Sequence, residues 1–281
     1  MVASGVCFVI VGVLVRWVGT NLSAPQAAFL RYLFGTLMLA PVLFGLARGN
    51  FQVNDPKLIV VRGVLHALAV ILWFFAMARI PIAEVTAIGY LTPVLITVAA
   101  AIFLGERLKI RRLAAVVLGF IGVLVILRPG FETLSVGQLA QLATTPLFAA
   151  SFILTKKLTR TDSNTVIVTV LSLVCTLTLI VPAAFNWSPV SMREYVLLLF
   201  TAAFATLGHF TLTHAFRCAP LAALQPVSYL QLVWATLLGI VLFGDALDWY
   251  VIVGAAVLVL STTYIAHRES VLAKQEAAGV E

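Results

Sequence analysis

A chain of 281 residues with 62% hydrophobic and only 10% charged residues is too apolar for a water-soluble domain, where charged side chains make up near a quarter of the residues. Its mean hydropathy of +1.10 agrees. The net charge of +7 does not indicate nucleic acid, because the basic residues sit in short loops and form no basic helix or aromatic-interleaved patch.

Uncharged runs recur, each approaching the ~20 residues that a helix needs to cross a bilayer. They do not alternate apolar with polar as barrel strands do. An all-α integral membrane protein is therefore expected, with ten spans at about 2–20, 25–46, 58–78, 81–104, 111–127, 137–156, 163–184, 193–216, 220–243 and 249–266. The first run reads as a span and not a signal peptide, since no basic region precedes it, Arg16 follows it and a second span begins soon after. Pro25, Pro81 and Pro220 stand where helices begin. Asp55-Pro56, Arg128-Pro129-Gly130 and Trp187-Ser188-Pro189 mark connections. The polar tail from His267 to Glu281 reads as a short frayed helix. Cys7, Cys175 and Cys218 lie inside apolar segments and imply neither a pairing nor a metal site.

Orientation follows from Lys and Arg. With the N-terminus cytoplasmic, the inner segments carry thirteen basic residues: Arg48, Lys57, Arg62, Arg107, Lys109, Arg111, Arg112, Lys156, Lys157, Arg160, Arg217, Arg268 and Lys274. The outer segments carry four: Arg16, Arg79, Arg128 and Arg193. Both termini are thus expected in the cytoplasm.

The second half rewrites the first at a spacing of about 139 residues. Pro81-Ile82-Ala83, Gly89-Tyr90-Leu91 and Gly105-Glu106-Arg107-Leu108 return as Pro220-Leu221-Ala222, Ser228-Tyr229-Leu230 and Gly244-Asp245-Ala246-Leu247. Ser23-Ala24-Pro25, after Arg16, aligns with Ser163-Asn164-Thr165, after Lys156. Five spans per copy is an odd number, so the second copy would run upside down relative to the first. Ten helices as two inverted five-helix repeats place a substrate site at the repeat interface and supply alternating access. The expected divisions are 1–135, 136–267 and a cytoplasmic tail at 268–281.

The polar residues of spans 4 and 9 correspond. Thr86, Tyr90 and Thr97 fall at i, i+4 and i+11, one face of a helix. Gln225, Tyr229 and Thr236 are their equivalents. Two such stripes converging on one axis suit a wet central cavity; hydrogen bonds that merely hold helices together are the alternative. Span 3 carries Arg62, His66 and Trp73 on one stripe, and span 8 carries His209 and His214, which are five apart and face different sides. A lone histidine between helices equally serves as a structural hydrogen bonder. Arg31 lies six residues inside span 2, about 9 Å from its outer end at 1.5 Å per residue. It either reaches back to the surface or serves the site. Gln231 and Trp234 add an amide and an aromatic wall beside Tyr229.

No acidic residue lies at mid-membrane depth, which argues against a carboxylate proton relay or a sodium cage. Hydroxyls, amides, rings and a cation or two suit a small zwitterion or anion with an apolar or planar part.

Phe29-Leu30-Arg31-Tyr32-Leu33-Phe34-Gly35, Arg79-Ile80-Pro81-Ile82-Ala83-Glu84, Leu104-Gly105-Glu106-Arg107-Leu108 and Leu127-Arg128-Pro129-Gly130 resemble motifs of the EamA family of the drug/metabolite transporter superfamily. Leu207-Gly208-His209 and Tyr229-Leu230-Gln231-Leu232 are similar to the motifs of its second half. Asp245-Ala246 departs from the Glu often found in that family. The resemblance implies ten spans in an inverted five-plus-five repeat, a central cavity lined by spans 3, 4, 8 and 9 among others, a bacterial inner membrane, and transport of amino acids, S-adenosylmethionine, riboflavin or other metabolites.

The expected function is secondary transport of a small polar metabolite, such as an amino acid, by export or exchange. The alternative is uptake of a larger metabolite such as S-adenosylmethionine or riboflavin; a lipid or lipid-carrier flippase is the alternative of another class. An enzyme is not expected, since the chain has no HExxH, no GxSxG and no paired acids within spans. No cofactor or metal is expected. The expected partners are a small-molecule substrate and the bilayer, not nucleic acid, and a homodimer is compatible with such a chain. Tyr90→Ala and Tyr229→Ala are each expected to cut substrate flux severalfold at unchanged membrane-fraction levels; wild-type flux from both variants would contradict a central site.

Overall fold

The computed structural model describes residues 1–49, 52–104, 110–129, 133–219, 224 and 227–277, and among them every regular element is an α-helix. Hydrocarbon offers no water to backbone amides, and a helix satisfies them within itself. In the first half the helices are α1 (Val2–Val18), α2 (Ala24–Met38), α3 (Ala40–Ala47), α4 (Pro56–Met77), α5 (Ile82–Gly89), α6 (Leu91–Leu104) and α7 (Ile110–Leu127). In the second half they are α8 (Val136–Leu158), α9 (Asn164–Phe185), α10 (Met192–Cys218), α11 (Leu230–Phe243) and α12 (Trp249–Ala277). Among the described residues α4, α8, α9 and α10 are each long and apolar enough to cross a membrane, and α2 with α3 forms another such stretch, bent by 64°. Val2–Val18, Ile82–Ile96, Val116–Leu127, Leu230–Phe243 and Trp249–Ser261 are apolar but shorter.

Helix starts follow from local chemistry. Ser135 and Ser191 form capping boxes with Gln138 and Glu194, while Ser23, Asp55 and Ser163 each accept from a first-turn amide. The polar tail does not separate from the last span, since α12 runs unbroken to Ala277.

Two expected spans are interrupted, and prolines explain both. The run 25–46 bends at Leu39, because Pro41 has no N–H to give the Leu37 carbonyl and stands in the first turn of a new helix. The run 81–104 breaks at Tyr90. There Pro93 leaves the carbonyl of Gly89 without its helical donor. Pro146 lies inside α8 without ending it. Thr145 Oγ1 donates to the Leu142 carbonyl at 2.8 Å, covering the acceptor that Pro146 cannot reach.

The two halves are packed into each other. α1 lies on α10, α2 on α9, α4 on α8, α5 on α11 and α7 on α12. Helices in lipid associate through close van der Waals contact, which small residues permit. At the α7–α12 crossing a Cβ added to Gly254 would lie 2.5 Å from the Gly122 carbonyl oxygen, and one added to Gly122 would lie 2.8 Å from that of Gly254. Ion pairs fasten helix ends. Arg16 grips both carboxylate oxygens of Asp245, with Nη2 2.6 Å from Oδ1, and lies 4.4 Å over the Phe243 ring. Arg128 bonds Asp248 at 2.8 Å and lies 4.5 Å over the Tyr250 ring.

Gly254→Leu is expected to cost about 1–3 kcal/mol through overpacking, read as a lower melting temperature in detergent. An unchanged melting temperature would contradict the backbone contact at Gly122.

Candidate functional site

Two adjoining cavities lie inside the bundle. The first, of about 180 Å³, is bordered by Ser4 and Gly5 of α1, Thr86 of α5, Tyr90 at the break, and Gln141 of α8. The second, of about 190 Å³, is bordered by Arg31 and Tyr32 of α2, His66 of α4 and His209 of α10. Phe8, Trp73, Phe148, Phe152 and Gln231 line both. The two adjoin along this shared aromatic wall as a first and a second lobe.

The first lobe depends on the break between α5 and α6. Thr86 directs its hydroxyl to the Ile82 carbonyl at 2.8 Å. Tyr90 is buried, and its hydroxyl donates to the Tyr229 carbonyl at 3.2 Å. The two tyrosine rings meet edge to face with centroids 4.9 Å apart, a favoured geometry. Tyr229 is buried directly ahead of α11 and lines neither lobe, so it supports Tyr90 from behind. Gln141 Nε2 donates to the Val85 carbonyl at 2.9 Å and ties α8 to α5.

The second lobe gathers the nitrogen-bearing side chains. His66 and His209 meet with ring centroids 5.0 Å apart, His66 Nδ1 lies 3.1 Å from Ser151 Oγ, and the ring of His209 packs on Phe8 at 5.2 Å. Arg31 is 4% exposed and stacks its guanidinium 3.7 Å from the Tyr32 ring centroid, so it does not reach back to the surface. Arg62 is buried as well, but it donates to the Ile167 carbonyl at 3.1 Å and lines neither lobe. Among the described residues no carboxylate lines either lobe. Glu84 accepts from Gln138 Nε2 at 2.5 Å. Among the described residues no group of three His, Cys, Asp or Glu side chains could hold a metal ion.

The expected site residues thus divide. Thr86, Tyr90, Trp73, His66, His209, Arg31 and Gln231 come together around the cavity. Tyr229 stands behind it. Thr236 lines neither lobe, and Trp234 is 48% exposed on the outer surface of the bundle. His214 is exposed near Asn164 and Cys218. Gln225 and the side chain of Thr97 lie outside the described residues. Sequence reasoning missed Phe8, Phe148, Phe152 and Gln141. The spacing of Phe148 and Phe152 by one helical turn, with Gln141 two turns earlier on the same helix, is the signal that could have found the last three.

The chain matches the profile of the EamA-like transporter family twice, over residues 1–128 and 135–266. A riboflavin transporter of Rhizobium johnstonii is 30% identical over 272 residues, covering 96% of this chain and 90% of that protein. An S-adenosylmethionine uptake transporter of Rickettsia bellii is 25% identical over 258 residues, covering 92% and 88%. A pseudopaline exporter of Pseudomonas aeruginosa is 26% identical over 259 residues, covering 90% of each. A solved crystal structure superimposes with a TM-score of 0.63 at 19% identity, covering 95% of this chain and 96% of that one, which shows a shared fold. The protein belongs to the EamA-like transporter family and is a multi-pass bacterial membrane transporter of the drug/metabolite type.

Proposed function

We propose that this EamA-family transporter carries a metabolite with a planar aromatic ring system across the bacterial inner membrane by alternating access. The observation that carries the reading is the wall of Phe8, Trp73, Phe148 and Phe152, with polar side chains at its two ends. Flat rings suit a ring-shaped guest, because offset and edge-to-face contacts add to the apolar area removed from water. Thr86, Tyr90 and Gln141 at one end and Arg31, His66 and His209 at the other would fix its orientation. An amino acid without a ring would leave that wall unused. The larger-metabolite alternative, represented among relatives by transporters named for riboflavin and S-adenosylmethionine, is favoured over a small polar substrate.

The proposed architecture is ten spans in two inverted five-span repeats, 1–135 and 136–267, with a cytoplasmic tail at 268–281 and both termini inside. The pairing of helices across the midpoint supports it. When the halves are exchanged, α2–α9, α5–α11 and α7–α12 map onto themselves, and α1–α10 maps onto α4–α8. A pseudo-twofold axis requires this pattern.

The test is flux into proteoliposomes holding the purified protein, with riboflavin, S-adenosylmethionine, tryptophan, alanine and a fluorescent phospholipid offered in turn. The expected result is saturable movement of at least one ring-bearing compound above protein-free vesicles and none of alanine. Flux confined to alanine or to the lipid would contradict the proposal.

A further inference from the structure

Arg31 is a buried cation whose charge no described residue neutralises. Arg16 and Arg128 have Asp245 and Asp248, and Arg62 has the Ile167 carbonyl. Arg31 has the face of Tyr32, and among the described residues none accepts a hydrogen bond from its guanidinium. A cation held this deep in a helix bundle defaults to an unmet partner, and stacking on a ring answers only part of its charge. Its planar fork matches two oxygens of one carboxylate or phosphate, and it faces the second lobe beside the aromatic wall. Among the described residues, the carboxylates nearest in kind to a partner are engaged elsewhere. Asp245 and Asp248 hold arginines, Glu84 holds Gln138, and Asp162 accepts the amide of Asn54.

We infer that the transported compound carries an anionic oxygen group, a carboxylate or a phosphate, on its aromatic body, and that Arg31 receives that group while Trp73, Phe148 and Phe152 receive the rings. The inference rests on the aromatic reading above and adds a charge to it. Arg31 then acts as the specificity filter of the cavity. It admits compounds with an anionic oxygen group, accepts neutral ring compounds weakly, and disfavours ring-bearing cations that lack such a group, such as tryptamine.

The experiment is equilibrium dialysis with the purified full-length protein in detergent, using two matched pairs of probes. Riboflavin and flavin mononucleotide share their rings and differ by a phosphate. Tryptamine and indole-3-acetate share theirs and are oppositely charged. The expected result is a preference of about tenfold or more for the anion in at least one pair, the scale of a charge-assisted bidentate contact. The pair that shows it tells phosphate from carboxylate. Arg31→Gln should abolish the preference with little effect on riboflavin, and Arg31→Lys should retain part of it. Melting of each variant without ligand separates lost recognition from lost folding. Equal binding within both pairs, or a preference that survives Arg31→Gln in folded protein, would overturn the inference while leaving the aromatic reading standing. Failure of all four probes to bind the wild type would overturn the aromatic reading itself, and the inference with it.

Discussion

Hydrocarbon supplies no hydrogen bonds, so each polar group that the fold carries into the membrane must find its partner inside the protein. Most do. Thr145 covers the carbonyl that Pro146 releases, Arg62 reaches the main chain of α9, Gln141 joins α8 to α5, and Tyr90 finds the Tyr229 carbonyl. Among the described residues, Arg62 Nε, Thr169 Oγ1 and Thr213 Oγ1 are buried without a partner away from the cavity. Arg31 and the rings of His66 and His209 border a cavity, and it is there that a guest can supply what the protein does not.

The same constraint explains how the cavity is held open. Each proline inside a helix removes one helical hydrogen bond, and its effect depends on what stands around it. Pro146 is repaired and α8 continues. At Pro93 the helix breaks, and α5 and α6 part at Tyr90. The break brings the Tyr90 hydroxyl to the main chain ahead of α11, so that the middle of the first half leans on the equivalent point of the second. Ion pairs and glycine contacts then fix the ends and flanks, leaving the centre as the loosely filled region. Transporters of inverted repeats commonly build their sites from interrupted helices of this kind.

Much of this was legible in the sequence. Apolar run length gave the helices, and turn and capping residues gave most of their ends. Helical spacing on span 3 brought His66 and Trp73 to one cavity, and the five-residue step from His209 to His214 correctly sent the two to different faces. The stripe of Thr86, Tyr90 and Thr97 was drawn on one continuous helix, and Pro93 interrupts the phase on which it relied. The matching stripe on the second half met a similar limit, since Tyr229 directly precedes α11 and packs behind Tyr90. Trp234, only five residues into α11, points outward. Phe8, Phe148 and Phe152 escaped notice because in an apolar chain a phenylalanine that packs and one that binds look alike. Only the void beside them tells the two apart.

Recognition in this cavity turns on where a ring-bearing guest sits. A cryo-electron microscopy structure in lipid nanodiscs with flavin mononucleotide present is the most direct measurement. The expected result is planar density against Trp73, Phe148 and Phe152, with the phosphate at the guanidinium of Arg31. Density for the compound on the outer surface, beside Trp234 or between helices facing lipid, with the central cavity occupied by water alone, would contradict it.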